Sequence, residues 1–245
     1  MSVQKPIDIG WLVSPEFGEF AFYEPESIKS KRSKPLSNRA IQTCPAVNQL
    51  ERRLFQVKCP FDLHLQIDKT SNGYDLFVVE NGTRLDSDLI SKFVTLNNPD
   101  IWRDPETPVI QIAMPYVFIC DENCYMSQLP PYMEKTHHSW PGIMTAARFQ
   151  ITNWPRILNW AFEWGDVSKS LRIKRGSPLF YVFFETNNPD DNIRLIRAEK
   201  TKELEDFRSG ITGIPKYLSN TFKIMETAKK RRPSKLLKPA EKIIK

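Results

Sequence analysis

The 245-residue chain is 40% apolar and 11% aromatic, which is enough for one large β-rich domain with its own core. Its net charge of +6 is uneven: residues 223–245 carry nine Lys and Arg against two Glu, while the other 222 residues carry 26 basic and 27 acidic groups. The composition therefore excludes a strongly basic groove on the folded body, and without any run of 18 apolar residues no membrane span is expected.

The N-terminal segment favours a cytoplasmic protein. Residues 1–20 contain neither the charged start nor the apolar core of a signal peptide. Because the cytoplasm is reducing, we expect the four cysteines to be free thiols rather than disulfides.

Strand-like patterns dominate the first half of the chain. The run IGWLV predicts a strand, and from Cys44 to Val79 the segments LFQVKCP, FDLHLQID and YDLFVVENG predict a β meander. The linking TSNG predicts a hairpin turn, because Asn-Gly readily adopts positive φ. SDLISKFVTL, which begins at Ser87, has an N-cap residue and apolar spacing of three and four, so it predicts a short helix.

The next segment carries the strongest β pattern. PVIQIAMPYVFIC predicts a buried strand broken at Pro115, where proline argues for an edge or a bulge, and a second strand runs up to Pro130. Four of the six tryptophans then fall within 25 residues, and Trp160, Phe162 and Trp164 share one face of a strand. LRIK and LFYVFF predict two further strands. Short turns between such strands indicate a mainly β fold, an antiparallel β-sandwich or barrel of jelly-roll-like type.

The pattern changes after residue 190. From Ile193 to Thr227 the residues favour helix, and Gly210 and Gly213 divide this segment in two. The predicted organisation is a β-rich domain over 1–190, C-terminal helices over 191–228 packed on it, and a disordered basic tail over 229–245.

Metal and catalytic signals are weak. A non-haem iron site needs two histidines and a carboxylate, but His64 lies in a predicted strand and His137 and His138 are neighbours in a loop. The C-x3-C spacing of Cys120 and Cys124 is a poor match to structural zinc. The chain contains no G-x-S-x-G, G-x-x-x-x-G-K-S/T, G-x-G-x-x-G or H-E-x-x-H motif. We therefore predict no catalytic residue, metal or cofactor.

Two groups of residues are candidates for contact with a partner. Lys229, Lys230, Arg231 and Arg232 form a four-charge cluster that could neutralise nucleic-acid phosphates, although a solvated tail is the alternative. The tail has no aromatic residue for base stacking. Candidates on the body are a tryptophan in the turn NWPR, two arginines and a strand histidine: Trp154, Arg148, Arg156 and His64.

Patches over about 110 residues resemble an uncharacterised family, a domain of unknown function of bacteria and tailed phages. The matching patches are CPAVN at 44–48, MPYVF at 114–118, G-x-x-x-x-x-R-F-x-I-x-N-W from Gly142, and IKRGSPLFYVFF. This resemblance implies a bacterial or phage protein, found in the host cytoplasm or the virion, and it brings no activity with it.

The same stretch is distantly similar to the closing strands of dUTPase-like barrels. The matching positions are a leading glycine, an asparagine, a second glycine and a final apolar strand: Gly142, Asn153, Gly176 and Leu179 to Phe184. This chain has Thr145 where that family carries its water-activating aspartate, and Arg148 where it carries an aromatic platform. The similarity therefore implies the barrel without dUTP hydrolysis.

Three functional hypotheses follow. The first is a non-enzymatic binding or assembly protein whose tail contacts nucleic acid or an acidic protein, or which assembles with further copies of itself. The second is a ligand-binding or degenerate nucleotide-processing enzyme of dUTPase-like barrel type. The third is an iron-dependent oxygenase on a jelly roll.

Overall fold

The computed structural model describes residues 6–14, 22–31, 37, 39–79, 92–212 and 221–240. These residues contain strands β1 to β14: Ile7–Val13, Glu26–Ser27, Leu54–Lys58, Leu63–Thr70, Gly73–Val78, Val94–Leu96, Val109–Ile119, Cys124–Leu129, Gly142–Met144, Ala147–Gln150, Ile157–Trp164, Leu171–Ile173, Pro178–Thr186 and Ile193–Arg197. Three α-helices follow the same chain order: α1 Pro45–Glu51, α2 Lys202–Thr212 and α3 Thr221–Arg231. Short 3-10 helices lie at Ile28–Lys31, Ile41–Thr43, Pro99–Ile101 and Lys135–Ser139.

The strands form three sheets. The large sheet has the order β14-β1-β7-β11-β9 with β6 beside β7, the second sheet has the order β10-β8-β13-β3-β2, and the small sheet has the order β12-β4-β5. The predicted mainly β fold with C-terminal helices is confirmed. One pair departs from the antiparallel prediction, because β1 and β14 run parallel. These two strands are far apart in sequence, so no tight hairpin constrains their direction.

The large and second sheets face each other across the main core. The rings of Phe118 and Phe184 meet at 5.6 Å, and the Trp160 indole N–H donates to the backbone oxygen of Leu179 at 3.2 Å. Trp160 and Phe162 stack at 5.2 Å, and both are fully buried. The alternation of aromatic residues along β11 therefore forms core, as predicted, because every second side chain of a strand points to the same face.

Pro115 lies inside β7, which runs unbroken through the large sheet. The predicted break is wrong, but the predicted bulge is present at Pro115 in β7 itself. The register of β11 against β7 shifts between Ile157 and Leu158, which face Val117 and Met114. Pro115 and Tyr116 are therefore the extra residues of the bulge, and a bulge is one of the places in a sheet where proline is tolerated.

Two predictions in the first half need correction. The hairpin of β4 and β5 forms as expected, with Gly73 at φ 129°, but β3 belongs to the second sheet, so the three strands are not one meander. The helix expected from Ser87 lies partly outside the described residues, and its described end, Val94–Leu96, is strand β6. This strand gains its hydrogen bonds by pairing with β7, which local propensity does not report.

The C-terminal region also differs from its prediction. Ile193–Arg197 is a strand rather than the start of a helix, because it pairs with β1. Helix α2 continues through Gly210 to Thr212, while Gly213 lies outside the described residues. The two helices pack on the body in a second core cluster, whose members include Leu12, Val117, Ile119, Leu204, Phe207 and Ile224.

The segment after α3 packs on the body as far as residue 240. Leu236 and Leu237 are buried in the second core cluster, with 1% and 6% of their surface exposed. Glu199 N–H donates to the backbone oxygen of Lys238 at 2.7 Å. The prediction of a disordered tail is therefore wrong for residues 229–240, and residues 241–245 lie outside the described part. None of the helices in that described part has the length and apolarity that crossing a bilayer requires.

Candidate functional site

Arg232 is the residue that anchors the C-terminal segment. Its guanidinium forms an ion pair with Asp121 at 2.5 Å and donates to the backbone oxygens of Thr152 at 2.5 Å and Cys120 at 3.1 Å. The side chain is only 8% exposed. The Asp121 carboxylate also accepts the N–H groups of Leu236 and Leu237. Arg232 is therefore committed to the interior and does not present its charge to a partner.

The other three residues of the basic cluster are exposed but point in different directions. All three lie in the last turn of α3, whose residues Ile224 and Ala228 face the core. Lys229 lines a polar cavity against β8 and β10, whereas Arg231 lines a groove between α2 and α3. A helix turns 100° per residue, so neighbours in sequence separate in space. The four basic residues are therefore not one cluster in the folded protein. Only Lys229 lines the polar cavity, and Lys230 is its exposed neighbour.

The polar cavity has a volume of about 540 Å³ and lies between α3 and the edge of the second sheet. Its lining combines three carboxamides, an aromatic ring, a threonine of the turn after β10 and three residues of α3: Asn123, Gln150, Asn153, Tyr125, Thr152, Met225, Glu226 and Lys229. Lys229 and Glu226 are the charged members of this set, and they come from the same helix.

The carboxamides of the polar cavity are held in a hydrogen-bonded chain. Gln150 Nε2 donates to Asn123 Oδ1 at 2.5 Å, and Asn153 Nδ2 donates to Gln150 Oε1 at 2.6 Å. Thr152 Oγ1 accepts the Cys124 N–H at 2.8 Å and joins the turn after β10 to the start of β8. The polar groups are therefore fixed before any ligand arrives, which reduces the entropy cost of binding.

A second, smaller cavity brings together three of the residues that the sequence singled out. Arg148, Trp154 and Arg156 all line a space of about 280 Å³, which we call the arginine cavity. Arg156 lies over the Trp154 ring at 5.3 Å, and Arg148 lies over the ring of Tyr125 at 4.0 Å. Asn153 lines the polar cavity, and the next residue in the chain, Trp154, lines the arginine cavity.

His64 lies apart from these two cavities, on the small sheet. It points outward with Gln66 and Asp68, as its strand position predicted, while Leu63, Leu65 and Ile67 face the core. Arg172 Nε donates to His64 Nε2 at 3.1 Å. His64 lines neither cavity, so the structure does not join it to the other contact candidates.

The described residues contain no group of three or more His, Cys, Asp or Glu that could hold a metal ion. The four cysteines are unpaired thiols, and three of them are buried. Burial raises the pKa of the Cys59 thiol to about 12, so it is not an activated nucleophile.

Thr145, the position of the missing aspartate, contacts a carboxylate from the neighbouring strand. Its hydroxyl donates to Glu163 Oε1 at 3.0 Å, and Arg103 pairs with the same oxygen at 2.9 Å.

Family models, curated proteins and solved structures were each searched, and none of them matches the chain.

Sequence reasoning missed the carboxamides and the tyrosine of the polar cavity. Asn123 and Tyr125 come from the segment CDENCY, and Gln150 and Asn153 come from QITN. Polar residues in a turn between strands are ordinary, so neither segment signals a site by itself. The pairing of β8 with β10, which sets Gln150 opposite Tyr125, brings the two segments together.

Proposed function

We propose that this chain is a non-enzymatic binding protein of phage or bacterial type that holds single-stranded nucleic acid in the polar cavity and along the exposed end of α3. One observation carries the proposal: Lys229 lines the same cavity as Tyr125 and three carboxamides. A lysine beside aromatic and amide groups matches the two parts of a nucleotide, its phosphate and its base.

Each lining group has a counterpart in an unpaired nucleotide. The ammonium groups of Lys229 and Lys230 attract phosphates, and the carboxamides can donate to and accept from the edge of a base. The carboxylate of Glu226 can accept from an exocyclic amino group. The stacked pair of Arg148 and Tyr125 offers planar surface.

Single strands fit this surface better than duplexes do. The polar groups lie in a cavity rather than on a ridge, so a base must leave its stack to reach them. The basic groups are few, with Lys229 and Lys230 on the exposed end of α3. We therefore expect modest, salt-dependent affinity rather than the strong electrostatic binding of a basic groove.

Deleting the C-terminal segment would not test this function cleanly. Ala228, Leu236 and Leu237 are buried, and Arg232 is part of the interior ion pair. A deletion after Thr227 would therefore expose core and would confuse loss of folding with loss of binding. Point substitutions of exposed residues avoid this problem.

The test is fluorescence anisotropy of a labelled 20-nucleotide oligothymidine at several salt concentrations. Lys229→Ala/Lys230→Ala is expected to weaken binding and to reduce the slope of log K against log salt by about 0.7 for each phosphate that is no longer neutralised. Arg172→Ala/Lys174→Ala is the matched control, because both residues are exposed and belong to or follow β12 of the small sheet. No binding by the unaltered protein at low salt, or equal losses in the two double variants, would refute the function.

A further inference from the structure

Arg156 is a cation that pairs with no carboxylate among the described residues. The hydrogen bond from its Nε to the backbone oxygen of Ile157 is long, at 3.4 Å. The residue is exposed to solvent, although partial burial by the surrounding protein lowers the pKa of the guanidinium. An exposed guanidinium with no protein counter-ion is open to an anion from solution.

The neighbouring Arg148 is placed differently. Its Nε donates to Glu185 Oε2 at 2.8 Å, and its guanidinium carbon lies 4.0 Å from the centre of the Tyr125 ring. The ion pair with Glu185 neutralises Arg148 and fixes the plane of its guanidinium. The remaining N–H groups of Arg148 can still donate to a ligand. Arg156 therefore gives the arginine cavity its net positive charge, since Arg148 is paired with Glu185 and the lining contains no acidic residue.

The rest of the lining restricts what can enter. Gln128 donates its amide to the backbone oxygen of Asn159 at 3.2 Å, and Trp154, Phe149 and Leu158 supply apolar walls. A volume of about 280 Å³ lies just below the usual range for sites of drug-sized ligands, which begins near 300 Å³. The cavity therefore suits one small anionic group with a short apolar attachment.

We infer that the arginine cavity is a phosphate-binding site, in which Arg156 binds one phosphate group of a strand whose neighbouring base occupies the polar cavity. Guanidinium groups bind phosphate oxygens through paired N–H donors, so the chemistry of Arg156 fits this anion. Asn153 of the polar cavity and Trp154 of the arginine cavity are consecutive residues with Cα atoms about 3.8 Å apart, which puts the two sites within reach of one strand. The inference rests on the proposed function for the origin of the phosphate, while the site itself can be tested with inorganic phosphate.

The first experiment measures oligothymidine binding by the full chain. Arg156→Met, which keeps the apolar stem, is expected to weaken binding about tenfold, the usual effect of losing one charge-assisted hydrogen bond, and to lower the salt slope by about 0.7. Arg156→Lys should retain the slope but recover only part of the affinity, because an ammonium lacks the planar fork. Arg172→Met, an exposed arginine on β12, is the control for removal of a charge and should bind as the unaltered protein does.

The second experiment follows the indole N–H signals of the tryptophans by NMR during titration with inorganic phosphate. The Trp154 signal, assigned with Trp154→Phe, is expected to shift, and Arg156→Met should abolish that shift. Thermal unfolding of each variant confirms that it is folded.

Together, the two experiments distinguish failure of the phosphate site from failure of the proposed function. If the unaltered protein binds the oligonucleotide and Arg156→Met binds equally well, the phosphate site is refuted while the proposed function stands. If the oligonucleotide does not bind, the proposed function fails, and the phosphate titration alone decides the site. A Trp154 shift that depends on Arg156 supports the site, and no shift refutes it.

Discussion

Replacing Arg232 with methionine should strongly destabilise the protein. The guanidinium donates five hydrogen bonds, to the backbone oxygens of Thr152, Cys120, Pro233 and Ser234 and to the Asp121 carboxylate. Methionine keeps the apolar stem and removes all five donors. The Asp121 carboxylate, 20% exposed, is left without its cation.

The expected cost is about 3–5 kcal/mol, the usual penalty for removing one member of a buried ion pair. For a chain of this length, each kcal/mol lowers Tm by roughly 2–4 °C, so Tm should fall by about 6–20 °C. The loss is large because stabilities of whole domains are only about 5–15 kcal/mol. Thermal and urea unfolding of the unaltered and variant chains measure it.

Arg231→Met is the control, because its side chain is exposed and no ion pair with a described carboxylate is present. It should change the free energy of unfolding by no more than about 0.5 kcal/mol. The double variant Asp121→Asn/Arg232→Met should cost less than the sum of the two single changes, since the two groups share one interaction. A loss below about 1 kcal/mol in Arg232→Met would refute the anchoring role of this residue.

Three further predictions concern the body of the protein. Gly142→Ala should lower the free energy of unfolding by about 3 kcal/mol, because the added Cβ would clash with the backbone oxygen of Glu163 in β11. Gly165→Ala is the control and should be tolerated, because the atom nearest to its added Cβ is 3.7 Å away. Equal costs in the two variants would contradict the steric explanation. Burial and the neighbouring His138 lower the pKa of His137, so the unfolded chain binds more protons than the folded protein does. The free energy of unfolding should therefore fall as the pH drops from about 7.5 to 5.5. Thermal unfolding at several pH values should show a weaker pH dependence in His137→Gln. In a thiol-titration assay Cys44, which is partly exposed, should react in the native state, whereas Cys59 should react only after denaturation, and rapid native reaction of Cys59 would contradict its burial.

The strands that could be predicted are those whose side chains alternate or are apolar throughout. β4, β11 and β13 follow from their own residues, because burial on one or both faces dictates which residue types they contain. The strands β6 and β14 could not be predicted in this way. Their residues favour helix as well as strand, and the choice depends on hydrogen bonds to β7 and β1, which come from distant parts of the chain.

The candidate site likewise contains residues that could be predicted from the sequence and contacts that could not. Arg148, Trp154 and Arg156 are close in sequence and could be chosen as polar or aromatic residues near a turn. The partners of Arg148 could not be predicted: Tyr125 and Glu185 come from two other strands of the second sheet. Contacts that depend on the order of strands in a sheet produce no periodic pattern in the sequence.

The basic C-terminal segment shows most clearly what the sequence determines and what the tertiary structure determines. The sequence by itself establishes the amount of charge, the β-rich core and the two helices, because composition and periodicity are local properties. Only the tertiary structure decides that Arg232 is an interior anchor, that Lys229 lines a cavity and that Arg231 faces elsewhere. The physical reason is that the role of a charge depends on its neighbours in space, and Asp121 is 111 residues away from Arg232 along the chain.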